Sequence, residues 1–219
     1  MGLIEISETY NRFLRHLSNK SGSLAPLQLT GLLEDYLVHE FIVHVYKETR
    51  GEILGITNLG NKGERKYDIA FIKNNLMGNR EIVSAFEAKY ITNAHKLRKE
   101  EDAIDNIGTT LKSLSKQLKN VITNKHGGYP VVQEAVGSKL YGLVFASCRK
   151  SSPGNGTKSN FFDNQILDRA KKMGFTRYGS NEDEPIFNDV YEDIEVRAVG
   201  YKYYLTLKVG LWQSSESED

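Results

Sequence analysis

Apolar side chains in the first fifty residues recur at helical spacing. Ile6 to Leu17 predicts one amphipathic helix, and Ser21, Gly22 and Ser23 predict a break after it. Leu32, Leu33, Tyr36, Leu37, Phe41 and Val45 then fall close to one helical stripe. Thr30 is placed to cap that second helix, and Gly51 to end it. Beyond Gly51 the pattern shortens towards a period of two. Three strands are expected, at Glu52–Thr57, Lys66–Ile72 and Glu81–Tyr90. Turns rich in Gly and Asn separate them (Asn58, Gly60, Asn61, Gly63, then Asn74, Asn75, Gly78, Asn79), as in an antiparallel meander.

A long polar helix is expected over Leu97–Thr123 and a loop over His126–Pro130. A buried strand, LYGLVFAS, is expected over Leu140–Ser147. Lys150–Ser159 reads as a flexible loop and Phe161–Met173 as a helix, with one or two strands within Ile186–Trp212. A helix between the third and fourth strands suits a crossover, so the predicted fold is α/β: a central mixed β-sheet flanked by helices on both faces. Residues 1–213 form a single domain in this reading, and 214–219 (SSESED) a disordered acidic tail.

Composition adds limits. The chain has 219 residues, enough for one domain with a sizeable core, and 39% of them are hydrophobic and 26% charged, an ordinary globular balance. A lone cysteine, Cys148, allows no internal disulfide and fits a reducing compartment. MGLIEISETYNRFLRHLS lacks the form of a signal peptide, and no apolar run reaches membrane-spanning length. A soluble, cytoplasmic protein without membrane partners is expected. Residues 181–219 hold ten acids against three bases, a net of −7, which leaves +8 on residues 1–180 of a chain whose total is +1. The larger part is therefore able to attract a polyanion, although an uneven scatter of solvated charge accounts for the same numbers.

Chemistry concentrates in two neighbouring strands. Asp68 lies in KYDIAFI, and Glu87 and Lys89 lie in VSAFEAKY. Strand alternation places Glu87 and Lys89 on one face. A hairpin register with Asp68 opposite Glu87 sets Ile72 opposite Val83, and groups Tyr67, Ile69, Phe71, Phe86 and Ala88 on the other face. Two carboxylates and an ammonium then converge on a largely apolar hairpin. Burying such charge without partners is costly, and a divalent cation with hard oxygen ligands would offset the repulsion.

Asp68, an 18-residue interval and then Glu87-Ala88-Lys89 resemble the PD-(D/E)xK nuclease superfamily, to which many restriction endonucleases belong. The expected order of helix, three strands, helix and strand over residues 30–147 resembles that family's restriction endonuclease-like core (αβββαβ), with a helix and strands added at its C-terminal end. The resemblance implies Mg²⁺, with Mn²⁺ as a substitute, bound by Asp68, Glu87 and the Ala88 carbonyl, and Lys89 assisting the nucleophilic water. It implies a DNA endonuclease of restriction or defence type, acting on duplex; a symmetric homodimer is one arrangement that cuts both strands. The alternatives are a non-catalytic nucleic-acid-binding domain of the same fold, and a nuclease acting on RNA, branched DNA or DNA ends. The family's extra helical Glu matches Glu34, with Glu40 as rival. Tyr67 stands where the family name has proline. Gln117 matches a family Gln on the following helix, but Val121 replaces the Tyr that accompanies it.

Other motifs carry less. Glu64-Arg65-Lys66 repeats the E-x-K triplet in a polar turn and reads as a decoy. His39 and His44 are five apart, about 140° around a helix, so they cannot grip one ion and read as half-buried structural histidines. The stretch from Gly55 to Lys62 departs from a phosphate loop and reads as turn glycines, and Gly154–Ser159 as a linker. Lys96, Arg98, Lys99, Lys112, Lys116 and Lys119 are candidate phosphate contacts or a solvated helix face. Tyr201, Tyr203 and Tyr204 read first as packing residues and second as base-stacking ones, and Cys148 as a packing residue.

Overall fold

A computed structural model describes residues 6–59, 67–74, 76, 78, 80–92, 124–126, 129–131, 133–150, 175–177 and 187–214. The fold is α/β, with three helices and a seven-stranded mixed sheet among those residues. The expected helices at 97–123 and 161–173, the decoy triplet at 64–66 and the loops at 61–66 and 151–159 lie outside them, as does the tail beyond Ser214.

Helix α1 spans Ile6–Asn19, α2 Ser21–Leu27 and α3 Leu33–Glu48. The second corrects the expected Ser/Gly break. Leu24 and Ala25 are fully buried, and the Lys20 carbonyl accepts the Ser23 and Leu24 N–H groups, so packing overrides weak helix formers. Thr30 does not cap α3. Its hydroxyl donates to the Leu27 carbonyl (2.8 Å) and accepts the Leu32 N–H (3.3 Å), so it serves the preceding turn, while Leu32 occupies the cap position without a side-chain bond. Past the end of α3, Gly51 adopts φ +81° and its N–H returns to the Tyr46 carbonyl (2.9 Å).

The meander is formed by β1 (Leu54–Leu59), β2 (Tyr67–Asn74) and β3 (Arg80–Thr92), antiparallel throughout. Strand β6 (Gln133–Lys150) runs parallel to β3, as a crossover requires, and extends well beyond the predicted 140–147. The region expected to be a loop holds two short strands, β4 (Asn124–His126) and β5 (Tyr129–Val131), that pair antiparallel. They flank Gly127 and Gly128 in sequence, the spacing of a tight hairpin. Strands β8 (Asn188–Ala198) and β9 (Tyr201–Ser214) form the predicted C-terminal hairpin; β7 (Phe175–Arg177) pairs with the end of β9, which runs one residue into the predicted tail. The sheet order is β1-β2-β3-β6-β9-β7, with β8 also on β9.

The three helices bury their apolar stripes on one face of this sheet. Phe41 of α3 meets Phe71 (5.6 Å) and Phe86 (5.2 Å) edge-on, and Phe86 stacks on Tyr141 (5.0 Å). Ile69, Phe71, Phe86 and Ala88 share that core, as the hairpin pattern predicted. Alternate residues such as Ala70, Ala85, Val144 and Ala146 are buried as well, so both faces are shielded from water. Gly55 is a packing glycine rather than a turn glycine: a Cβ there would lie 2.8 Å from Ile42 Cγ2 and 3.0 Å from Phe71 Cε1, so α3 seats directly on β1. Tyr10 of α1 donates to the Val209 carbonyl (2.8 Å), and Gln28 bridges the Cys148 carbonyl and the Tyr191 hydroxyl (2.9 Å each). No helix among the described residues is long and apolar enough to cross a membrane.

Candidate active site

The β2–β3 register positions the candidate residues. Ile69 opposes Phe86, Ala70 opposes Ala85 and Phe71 opposes Ser84, the predicted alignment. A bulge then slips it by one, so Ile72 opposes Ile82 and not Val83. The slip lies towards the turn and leaves the Asp68 end in phase. There the ladder stops at Ile69–Phe86. The next N–H on β3, that of Ala88, is accepted by Asp68 Oδ2 (3.0 Å) in place of a backbone carbonyl. That bond holds the carboxylate at the fork between the two strands.

Glu87 sits beside it. Its side chain is only 4% exposed, and its Oε1 lies 3.3 Å from Lys89 Nζ. Burial raises the Glu87 carboxyl to about 7; the negative charge of Asp68 adds to the rise, the Lys89 ammonium opposes it, and a hydrogen bond with Asp68 favours the protonated form. Asp68, Glu87 and Lys89 are thus brought together.

Helix α3 completes the surroundings. Glu34 and Asp35 occupy its first turn, where the helix dipole favours acids. The Glu34 carboxyl is raised by burial and by Asp35 and Asp68, against Lys89 and a hydrogen bond from the Tyr90 N–H. Asp68, Ala88 and Lys89, with Thr57 of β1 and Glu34, Asp35, Val38, His39 and Ile42 of α3, line an open cleft of about 390 Å³.

The rivalry between Glu34 and Glu40 is therefore resolved in position: Glu34 faces the cleft. Glu40 instead accepts from Lys20 Nζ (2.8 Å) and contacts His16 Nε2 (2.7 Å). The histidines also diverge. His44 is half-buried against Phe13 (5.7 Å) and His16 (5.5 Å), whereas His39 is exposed on the cleft rim and is not the half-buried residue expected. Asp35 and Thr57 are not among the residues the sequence singles out, and His39 is singled out there only as a structural histidine. The recurrence of residues 34, 35, 38, 39 and 42 along one α3 stripe could have exposed Asp35 and His39 once Glu34 was chosen. Tyr201 is 67% exposed, with its ring 6.4 Å from that of Tyr203, so it is not a packing residue; Cys148 is buried, as expected. Lys96, Arg98, Lys99, Lys112, Lys116 and Gln117, with Lys119 and Val121, lie outside the described residues.

The donor set fits a hard divalent cation. Asp68 and Glu87 are in contact and Lys89 pairs with Glu87, and carboxylate, carbonyl and water oxygens are the ligands Mg²⁺ accepts. No group of three or more His, Cys, Asp or Glu side chains among the described residues is arranged to hold an ion, so the remaining positions would fall to backbone, water and phosphate oxygens. Comparison with family models, with curated proteins and with solved structures finds no match to this chain.

Proposed function

We propose that this chain is a Mg²⁺-dependent endonuclease with a restriction endonuclease-like core, hydrolysing DNA phosphodiester bonds, with duplex DNA as substrate and restriction or defence as its role. The observation that carries the reading is the meeting of Asp68, Glu87 and Lys89 at the fork of β2 and β3, with Asp68 and Lys89 lining a cleft that Glu34 also lines and Glu87 buried behind them. Its support from sequence is the D…ExK resemblance on the two strands where that family carries it.

Asp68, Glu87 and the Ala88 carbonyl would hold the cation. When bound, it would neutralise phosphate charge and lower the pKa of water. The chain's own residues do the rest. The Ala88 N–H fixes the Asp68 carboxylate, so little reorganisation is needed on binding. Lys89 places an ammonium at the cleft, where it orients the attacking water or offsets charge developing on the phosphate. Glu34 places a further acceptor for water on the α3 side of the cleft.

One observation favours a second reading, a non-catalytic nucleic-acid-binding domain of the same fold: the absence, among the described residues, of a three-ligand cluster. A cutting assay in Mg²⁺ on duplex, single-stranded and branched DNA and on RNA separates the two. The nuclease reading expects wild type to cut at least one of these and Glu87→Ala to cut none. Equal rates for wild type and Glu87→Ala overturn it, and binding without cutting or metal uptake supports the second reading.

A further inference from the structure

Building on the nuclease reading, we propose that His39 is a further catalytic residue, the acid that protonates the departing sugar oxygen. Helix α3 presents residues 34, 35, 38, 39 and 42 to the cleft, and His39 lines it together with Asp68, Ala88 and Lys89. Its imidazole is exposed, as a group meeting substrate must be. His44, five residues on, turns away into the α1 contact, so the two histidines of this helix are divided between packing and the cleft.

The chemistry requires such a group. Breaking a phosphodiester expels an alkoxide, a poor leaving group unless it gains a proton as it departs. The titratable groups that line the cleft with His39 are Glu34 and Asp35 on its own helix, Asp68 on β2 and Lys89 on β3, with Thr57 from β1. Three of these are carboxyls on the metal-binding side. Lys89 is paired with Glu87 (3.3 Å). An imidazole can give a proton from a ring nitrogen and regain one from solvent, the exchange a general acid performs. In the proposed step water forms the new P–O bond and releases a proton to solvent. The bond from phosphorus to the sugar oxygen breaks, its electron pair staying on that oxygen, which takes the proton of the His39 imidazolium. Solvent then reprotonates the imidazole, and the net change is addition of one water across the diester.

The test compares wild type, His39→Gln and His39→Asn on two DNA substrates. One is ordinary; the other carries sulfur in place of the bridging oxygen of the scissile bond, whose thiolate leaves without a proton. Both variants should cut ordinary DNA about 10²- to 10³-fold more slowly. On the sulfur substrate they should fall by less than about tenfold. In Ca²⁺, used to block turnover, the His39 ring resonances of wild type should shift when DNA is added. Equal slowing on both substrates, or no slowing on ordinary DNA, overturns the assignment while leaving the nuclease reading intact. A wild type that cuts neither substrate overturns both.

Discussion

Two of the glutamates on helix α3, Glu34 and Glu40, lie six residues apart and have opposite surroundings. Around Glu40, burial favours the neutral acid, but hydrogen bonds from Lys20, His16 and Tyr36 outweigh it and hold the carboxyl down to about 2. Around Glu34 the balance is reversed. Glu34, Asp35, Asp68 and Glu87 gather near one ammonium, Lys89, and both Glu34 and Glu87 are held above the ordinary carboxylate range. The first cluster is neutral within itself and ties α1 to α3. The second gathers more carboxyls than cations beside a cleft, an arrangement that costs stability in the free protein and that the proposed cation would relieve. Charge clusters of similar composition are thus told apart by which of them is complete.

The comparison is broken most sharply by activity. Asp68→Asn or Glu87→Gln should reduce cutting by about 10³-fold or more, whereas Glu40→Gln should leave kcat within about threefold. Next comes stability without divalent metal. Glu87 has a folded-state value of about 7 against an ordinary 4.5, so the native state binds more protons between those pH values. Its contribution is fully present below pH 4.5 and is lost as pH rises through 7, on the order of 3 kcal/mol in all. Glu87→Gln should therefore gain stability over wild type progressively from pH 5 to pH 8, read by denaturant unfolding at each pH. A gap that stays constant would show that burial does not hold Glu87 protonated.

Smaller effects sharpen the structural half. Gly55→Ala pushes a methyl group against Ile42 and Phe71 and should cost about 1–3 kcal/mol, lowering Tm, because α3 carries both clusters on that contact. Glu40 has the opposite sign to Glu87. Its depressed value adds stability above pH 4.5 that is lost as pH falls towards 2. Glu40→Gln should cost about 1 kcal/mol at pH 7 and less below pH 3, measured by thermal unfolding across that range.

Much of this was legible in the chain. The period-two pattern of YDIAFI and VSAFEAKY gave the hairpin, its buried face and the register at its Asp68 end, because one face had to be apolar for the strands to pack. The bulge was not legible: Ile72 and Val83 are equally apolar, and no residue there marks the extra position. Strands β4 and β5 were missed because three-residue strands give too few positions to show alternation. The spacing of His39 to His44 says nothing about the cleft; its one-turn spacing from Asp35 is what places it there. Glu34 is the preferred match in the sequence, but the pairing of Glu40 with His16 of α1 and with Lys20 beyond its end is a contact between distant segments that no local pattern encodes.

The most direct test is an anomalous-scattering map from a crystal soaked in Mn²⁺. The account predicts one peak at the fork of β2 and β3, within roughly 2.0–2.3 Å of oxygens from both Asp68 and Glu87, and its disappearance in Glu87→Gln. A map with no peak there, or with a peak that one of the two carboxylates does not touch, would contradict it.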